Sequence, residues 1–156
     1  MRKITHLVIH CTATPQDVDP KAILKYWKEK LKWKVPGYHK LIQATGTVLD
    51  LLPEDQIANG VAGHNKNSLH VSWVGGLHGD DRTLAQRKAI AAVILNWLKK
   101  YPTAQIMGHR DFPGVKKSCP NFDAKSYEYL RNYLNADPKD VPDPGTITVP
   151  SPPSGL

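Results

Sequence analysis

The order of polar and apolar positions divides the chain into short strands and amphipathic helices. Lys3 to His10 alternates weakly and is rich in Ile, Leu and Val, which predicts a buried strand ending at His10. Cys11-Thr12-Ala13-Thr14-Pro15 reads as the loop that follows. Asp19-Pro20 opens a helix, with Asp as N-cap and Pro at the first helical position. Ile23, Leu24, Trp27 and Leu31 give that helix one apolar face, and Lys21, Lys25, Lys28, Lys30 and Lys32 give it a solvated one. Val35-Pro36-Gly37 ends it. Tyr38–Ala44 and Thr47–Leu52, around Thr45-Gly46, predict a hairpin, and Pro53–Ala58 one helical turn.

A Gly- and Asn-rich loop then runs from Asn59 to Ser68, and Leu69–Val74 predicts a strand stopped by Gly75-Gly76. Thr83 and Gln86 form a capping-box pattern. The helix they open carries Leu84, Ile90, Ile94, Trp97, Leu98 and Tyr101 as its apolar stripe and stops at Pro102. Ala104–Met107 reads as a short strand, and Asp123 caps a last helix with Tyr127, Leu130 and Leu134 inward. Strands alternating with helices around a hairpin predict an α/β fold, a central mixed β-sheet flanked by helices on both faces. Beyond Asn135 the apolar periodicity stops, and six of the 13 prolines fall in the last 20 residues. The expected organisation is one domain over residues 1–136 and a Pro-rich extended or disordered tail over 137–156.

Composition narrows the classes. The 156 residues suit a single domain with a real core, 40% of them are hydrophobic, and no run approaches the ~18 apolar residues of a membrane span. The N-terminus is basic, as a secretory leader is, but its apolar part is short and broken by Thr5 and His6. Synthesis in the cytoplasm without a Sec leader is therefore expected, with release by another agent before any action outside the cell. Cys11 and Cys119 could form at most one disulfide, and the reducing cytoplasm favours one buried thiol and one functional thiol. The net charge is +7. Residues 137–156 carry Lys139 against Asp137, Asp140 and Asp143, a net −2, which leaves +9 on residues 1–136. Such a domain favours nucleic acid, an anionic membrane surface or an anionic polymer such as a cell wall.

The densest chemistry lies in Gly108-His109-Arg110-Asp111-Phe112-Pro113-Gly114-Val115-Lys116-Lys117-Ser118-Cys119-Pro120. Imidazole and thiolate are preferred zinc ligands, and a nearby lysine favours the thiolate. A third ligand is sought among the remaining histidines, His6, His10, His39, His64, His70 and His78. His6 and His10 stand four apart on one strand and share a face. Position at the strand end favours His10 but leaves His6 open. A cysteine peptidase pairing Cys119 with His109 also fits the spacing. Arg110 and Asp111 are expected to form a local ion pair, and His39 to be structural.

The segments Val8-Ile9-His10-Cys11-Thr12-Ala13-Thr14, Pro36-Gly37-Tyr38-His39, Thr45-Gly46-Thr47-Val48, Gly63-His64-Asn65, Asn67-Ser68-Leu69 and Val74-Gly75-Gly76 occur in that order. Ile106-Met107-Gly108-His109-Arg110-Asp111 and Lys117-Ser118-Cys119-Pro120 complete the series. Together, over residues 3–134, they resemble the type 2 N-acetylmuramoyl-L-alanine amidases, which include phage lysozymes and share the fold of peptidoglycan recognition proteins. The resemblance implies Zn²⁺ held by His10, His109 and Cys119, with Tyr38 and Lys117 as catalytic residues. It implies hydrolysis of the amide between N-acetylmuramic acid and L-alanine by a phage or prophage endolysin. The alternative is a non-catalytic peptidoglycan-binding module. His64, and more weakly Asn67, are expected to contact substrate. Peptidoglycan is the expected partner of a monomer, without nucleic acid. Some phage members also bind a viral polymerase, a role that no residue here specifies.

Overall fold

The structure, a computed structural model, describes residues 2–144. Its strands are β1 (His6–Cys11), β2 (Lys40–Ile42), β3 (Val48–Asp50), β4 (Ser68–Trp73) and β5 (Gln105–Gly108), and its α-helices are α1 (Pro20–Glu29) and α2 (Leu84–Lys100). One sheet joins the strands in the order β3-β2-β4-β1-β5. β1 pairs in parallel with β4 on one side and β5 on the other, β2 joins β4 in parallel, and only edge strand β3 is antiparallel. The mixed sheet expected from the sequence is therefore present, with β4 at its centre and β1 beside it.

Alternation along the strands sorts side chains onto two faces. Leu7, Ile9 and Cys11 join Leu69, Val71 and Trp73 in a core that α2 closes with Ile90, Ile94, Trp97 and Leu98. On the opposite face, Leu41 and Val74 pack under Ile23 and Trp27 of α1, and Val8 packs under Val61 and Phe112. This second face also carries His10, Ser68, His70 and Ser72, all buried. The polar positions of β4 would suit a solvent face, but His39 and the loop before β4 pack against them.

Several local expectations change. Leu31 and Leu84 are 40% and 48% exposed, because Leu31 lies beyond the end of α1 and Leu84 is the first residue of α2. Pro53–Ala58 forms a turn closed by Gln56 N–H donating to Pro53 O at 3.0 Å, without a helix. The last helix, Ala124–Tyr133, is 3₁₀ rather than α. Ala124, Tyr127 and Leu130 are its buried residues, and their spacing of three matches the eclipsed faces of a 3₁₀ helix. Packing also continues past Ala136, into the segment expected to be extended. Pro138–Asp140 forms a 3₁₀ turn, Val141 enters the α2-side core, and Arg87 Nε lies 3.2 Å from Asp143 Oδ1. The expectation for residues 145–156 lies outside the described residues.

The start of α2 ties the layers together. Gln86 Oε1 accepts from Thr83 N–H at 3.0 Å and Thr83 Oγ1 accepts from Gln86 N–H at 3.0 Å, completing the capping box. The same Gln86 side chain, fully buried, donates through Nε2 to Val74 O at 2.9 Å and Ile42 O at 3.3 Å. Glutamate would serve the cap equally well, but it cannot donate to two carbonyls and would bury a charge. Gln86→Glu is expected to lower stability by about 3 kcal/mol, read by urea denaturation at neutral pH. A loss no larger than a surface substitution gives would show that these two carbonyls find other donors.

Candidate metal centre

The register of β1 against β5 creates the site. Ile9 pairs with Gly108, so the next residue of each strand, His10 and His109, emerges at the same edge of the sheet. Their ring centroids are 4.9 Å apart with planes at 65°. Asp111 Oδ2 accepts from Gly108 N–H at 2.8 Å and fixes the 3₁₀ turn His109–Asp111. The expected Arg110–Asp111 ion pair is absent among the described residues; both side chains are exposed, and Asp111 accepts from the Gly108 backbone instead.

Two backbone hydrogen bonds bring Cys119 back to the histidines. Arg110 N–H donates to Cys119 O at 2.8 Å, closing the base of the loop, and Cys11 N–H donates to Cys119 Sγ at 3.1 Å. Trp73 Nε1 holds Pro120 O at 3.2 Å, and Asn121 Nδ2 holds Gly76 O at 2.8 Å. Gly108 permits this return, since a Cβ there would lie 2.6 Å from Pro120 Cδ.

The ligand atoms of His10, His109 and Cys119 all lie within 4.8 Å of one another. His10 is 1% exposed, and burial, reinforced by His70, His109 and Lys117, holds its imidazole well below the usual range. Burial and Lys117 also lower His109. Both rings are thus neutral at neutral pH, the form that offers a lone pair to a metal. The hydrogen bond to the Cys11 thiol and burial push the Cys119 thiol up, outweighing the opposite pull of Lys117. A divalent cation is the charge that would hold it as thiolate. Two imidazoles and a thiolate with one side open fit the three-ligand pattern of catalytic zinc sites.

The open side is a cavity of about 620 Å³ whose wall includes all three residues together with Tyr26, Trp27, Trp33, Tyr38 and Lys117. The Tyr38 ring centroid lies 5.0 Å from that of His10 and 5.1 Å from that of Trp27, and its hydroxyl is 3.4 Å from Cys11 O. Burial and the neighbouring Cys119 push the Tyr38 hydroxyl up, so it is protonated at neutral pH. Cys11 is buried in the α2-side core, as expected, and its backbone N–H donates to Cys119 Sγ.

His64 and Asn67 do not join this cavity. His64 is exposed and lies against Phe112, with ring centroids 4.7 Å apart. Asn67 sits at the opposite end of the strands, where its Nδ2 donates to Lys3 O at 2.6 Å. The loop before β4 does reach the cavity, through Asn59, Gly60, Ala62 and Asn65, but not through these two side chains.

The sequence left His70 without a role, yet its Nδ1 lies 2.9 Å from His10 Nε2. Burial first, then His39, His109 and Arg2, push it down to about 3. His39 Nδ1 in turn accepts from His70 N–H at 3.0 Å, and the two rings stack at 5.9 Å with planes 2° apart. Alternation along β4 places His70 on the face opposite Leu69 and Val71, but only the β1–β4 register places it behind His10.

Comparison with known proteins agrees with this geometry. The model of the family described as N-acetylmuramoyl-L-alanine amidase matches residues 1–122. The endolysin of Escherichia phage T7 is 32% identical over 140 residues, covering 84% of this chain and 89% of its own. The endolysin of Klebsiella phage KP32 is 29% identical over 142 residues, covering 87% and 93%. Among solved structures, the Ph2119 endolysin from Thermus scotoductus MAT2119 bacteriophage Ph2119 superposes with a TM-score of 0.71 at 25% identity, over 84% of this chain and 86% of that one. Drosophila PGRP-LB, at 16% identity, shares the fold with a TM-score of 0.67 over 78% and 76% of the two chains. Sequence match, shared fold and the cluster at the ends of β1 and β5 agree: this chain belongs to the N-acetylmuramoyl-L-alanine amidase family.

Proposed function

We propose that this amidase cleaves the bond between the lactyl group of N-acetylmuramic acid and L-alanine with Zn²⁺ held by His10, His109 and Cys119, as a phage or prophage endolysin. The observation that carries this reading is the gathering of three donor atoms within 4.8 Å in the wall of an open cavity. Zinc bound there supplies Lewis acidity towards the scissile carbonyl and lowers the pKa of water.

The chain supplies the rest. His10 and His109 present neutral imidazoles, and the Cys11 N–H bond to Cys119 Sγ favours the thiolate. Lys117, in the cavity wall, places an ammonium where the carbonyl oxygen gains negative charge. Tyr38 stays protonated and acts as a donor, assisting protonation of the leaving amine. No carboxylate lines the cavity among the described residues, so the reading assigns no Asp or Glu as general base. His64 and Asn67 are given no substrate contact, for neither lines the cavity. The amidase unit is taken as residues 1–136, with the segment from Pro138 to Asp143 packed onto it.

The relatives from phages T7 and KP32 are named endolysins, which supports a wall-degrading role. The net charge of +7 suits attraction to an anionic wall, weakened by salt.

Purified protein with Zn²⁺ is expected to solubilise cell walls and create new N-terminal alanine. A strong chelator is expected to stop this and added Zn²⁺ to restore it, while Cys119→Ser and His109→Ala abolish it. Wall cleavage that survives chelation and both substitutions would sink the zinc reading. Within that reading, Lys117→Met and Tyr38→Phe are each expected to lower kcat by roughly 10²-fold while bound zinc, measured by elemental analysis, stays near one per chain. Loss of zinc in either variant would move that residue from chemistry to metal retention.

A further inference from the structure

The cluster behind His10 has no part in the reaction as described, yet it is built as closely as the metal centre itself. We propose that His70 is a positioning residue for His10: it accepts the Nε2–H of His10 and thereby leaves Nδ1 as the atom offered to the metal. This inference rests on His10 being a ligand.

The argument starts from the hydrogen bond. Nε2 of His10 and Nδ1 of His70 are 2.9 Å apart, so one proton lies between them. A neutral imidazole carries one N–H and one lone pair. If His10 gives a lone pair to a metal, its N–H must be on the other nitrogen. Nε2 is already occupied by His70, so Nδ1 is the ligating atom and Nε2–H the donor. His70 then accepts at Nδ1 and carries its own proton on Nε2. Ligating histidines depend on such a partner to fix ring orientation and tautomer.

The surroundings hold His70 in that role. Its backbone N–H donates to His39 Nδ1 at 3.0 Å, which puts the His39 proton on Nε2, where Gln56 O receives it at 2.8 Å. His39 therefore has one tautomer, and its ring lies flat against that of His70. On the other side, a Cβ at Gly60 would lie 2.1 Å from His70 Nδ1, so only glycine leaves the ring its place. The buried Nε2 of His70 has no hydrogen-bond partner among the described residues. An apolar side chain would fill the space without that cost. A packing role alone does not call for histidine here, whereas an acceptor at Nδ1 does.

The test compares His70→Leu, which removes the acceptor, with His70→Asn, whose amide oxygen can stand near Nδ1. Zinc affinity of the full chain is measured by competition with a chromophoric chelator. His70→Leu is expected to weaken zinc binding by roughly 10- to 100-fold, and His70→Asn to recover most of it. Long-range ¹H–¹⁵N spectra of the zinc-loaded native protein are expected to show His10 protonated on Nε2. Zinc affinity in a folded His70→Leu within twofold of native overturns the proposal. So does a His10 proton on Nδ1, a readout that decides the matter even if His70→Leu does not fold. If His10→Ala binds zinc as tightly as the native chain, the ligand assignment itself fails, and the two failures are thereby told apart.

Discussion

Everything functional in this chain depends on β1 being hydrogen-bonded on both edges to strands running the same way. Parallel pairing with β4 and β5 puts the C-terminal ends of all three at one edge of the sheet. The segments that leave those ends are Cys11–Ala13, the Gly75-Gly76 turn and the 3₁₀ turn at His109. In open α/β sheets that edge is where ligands collect, because the connections leave the strand ends there and side chains beyond them are free to converge. An antiparallel β5 would carry its terminal histidine to the other end of the molecule.

The two faces of the sheet divide the labour. One carries the larger apolar core and is closed by α2, supplying most of the burial that stabilises the domain. The other buries His10, Ser68, His70 and Ser72. Burying polar groups is unfavourable unless they are paired, and most of these are. His10 meets His70, Ser68 Oγ donates to His64 O at 2.6 Å, and His39 bridges β4 to Gln56. Stability and site chemistry thus reside on opposite sides of the same strands, and the site can be polar without weakening the principal core.

This division explains what the sequence could reveal. The order of strands and helices was legible from periodicity, and so were the N-caps at Asp19, Thr83 and Asp123. The loop from Gly108 to Pro120 announced itself by composition. What periodicity could not supply was register. It favoured His10 over His6 only by position at the strand end, and resemblance rather than spacing decided between them. The same gap hid His70, which is a neighbour of His10 only through the pairing of β1 with β4. Asn67 and His64 attracted attention through their segment motifs, but motifs carry no direction, and Asn67 lies at the wrong end of its strand. The last helix was legible with its cap, but a buried spacing of three did not reveal that its turns are 3₁₀.

The loop from His109 to Cys119 is pinned at its base by Arg110 N–H bonded to Cys119 O, and Phe112 is buried just inside it. Between Pro113 and Ser118 the chain is largely exposed and bears Lys116 and Lys117. A loop tied at its base absorbs insertions at small entropic cost, without moving what lies outside it. Metal binding and loop sequence are therefore separable traits. Descendants of such a chain can vary residues 113–116 while keeping Lys117 and the proposed ligands in place, and a protein engineer has the same freedom.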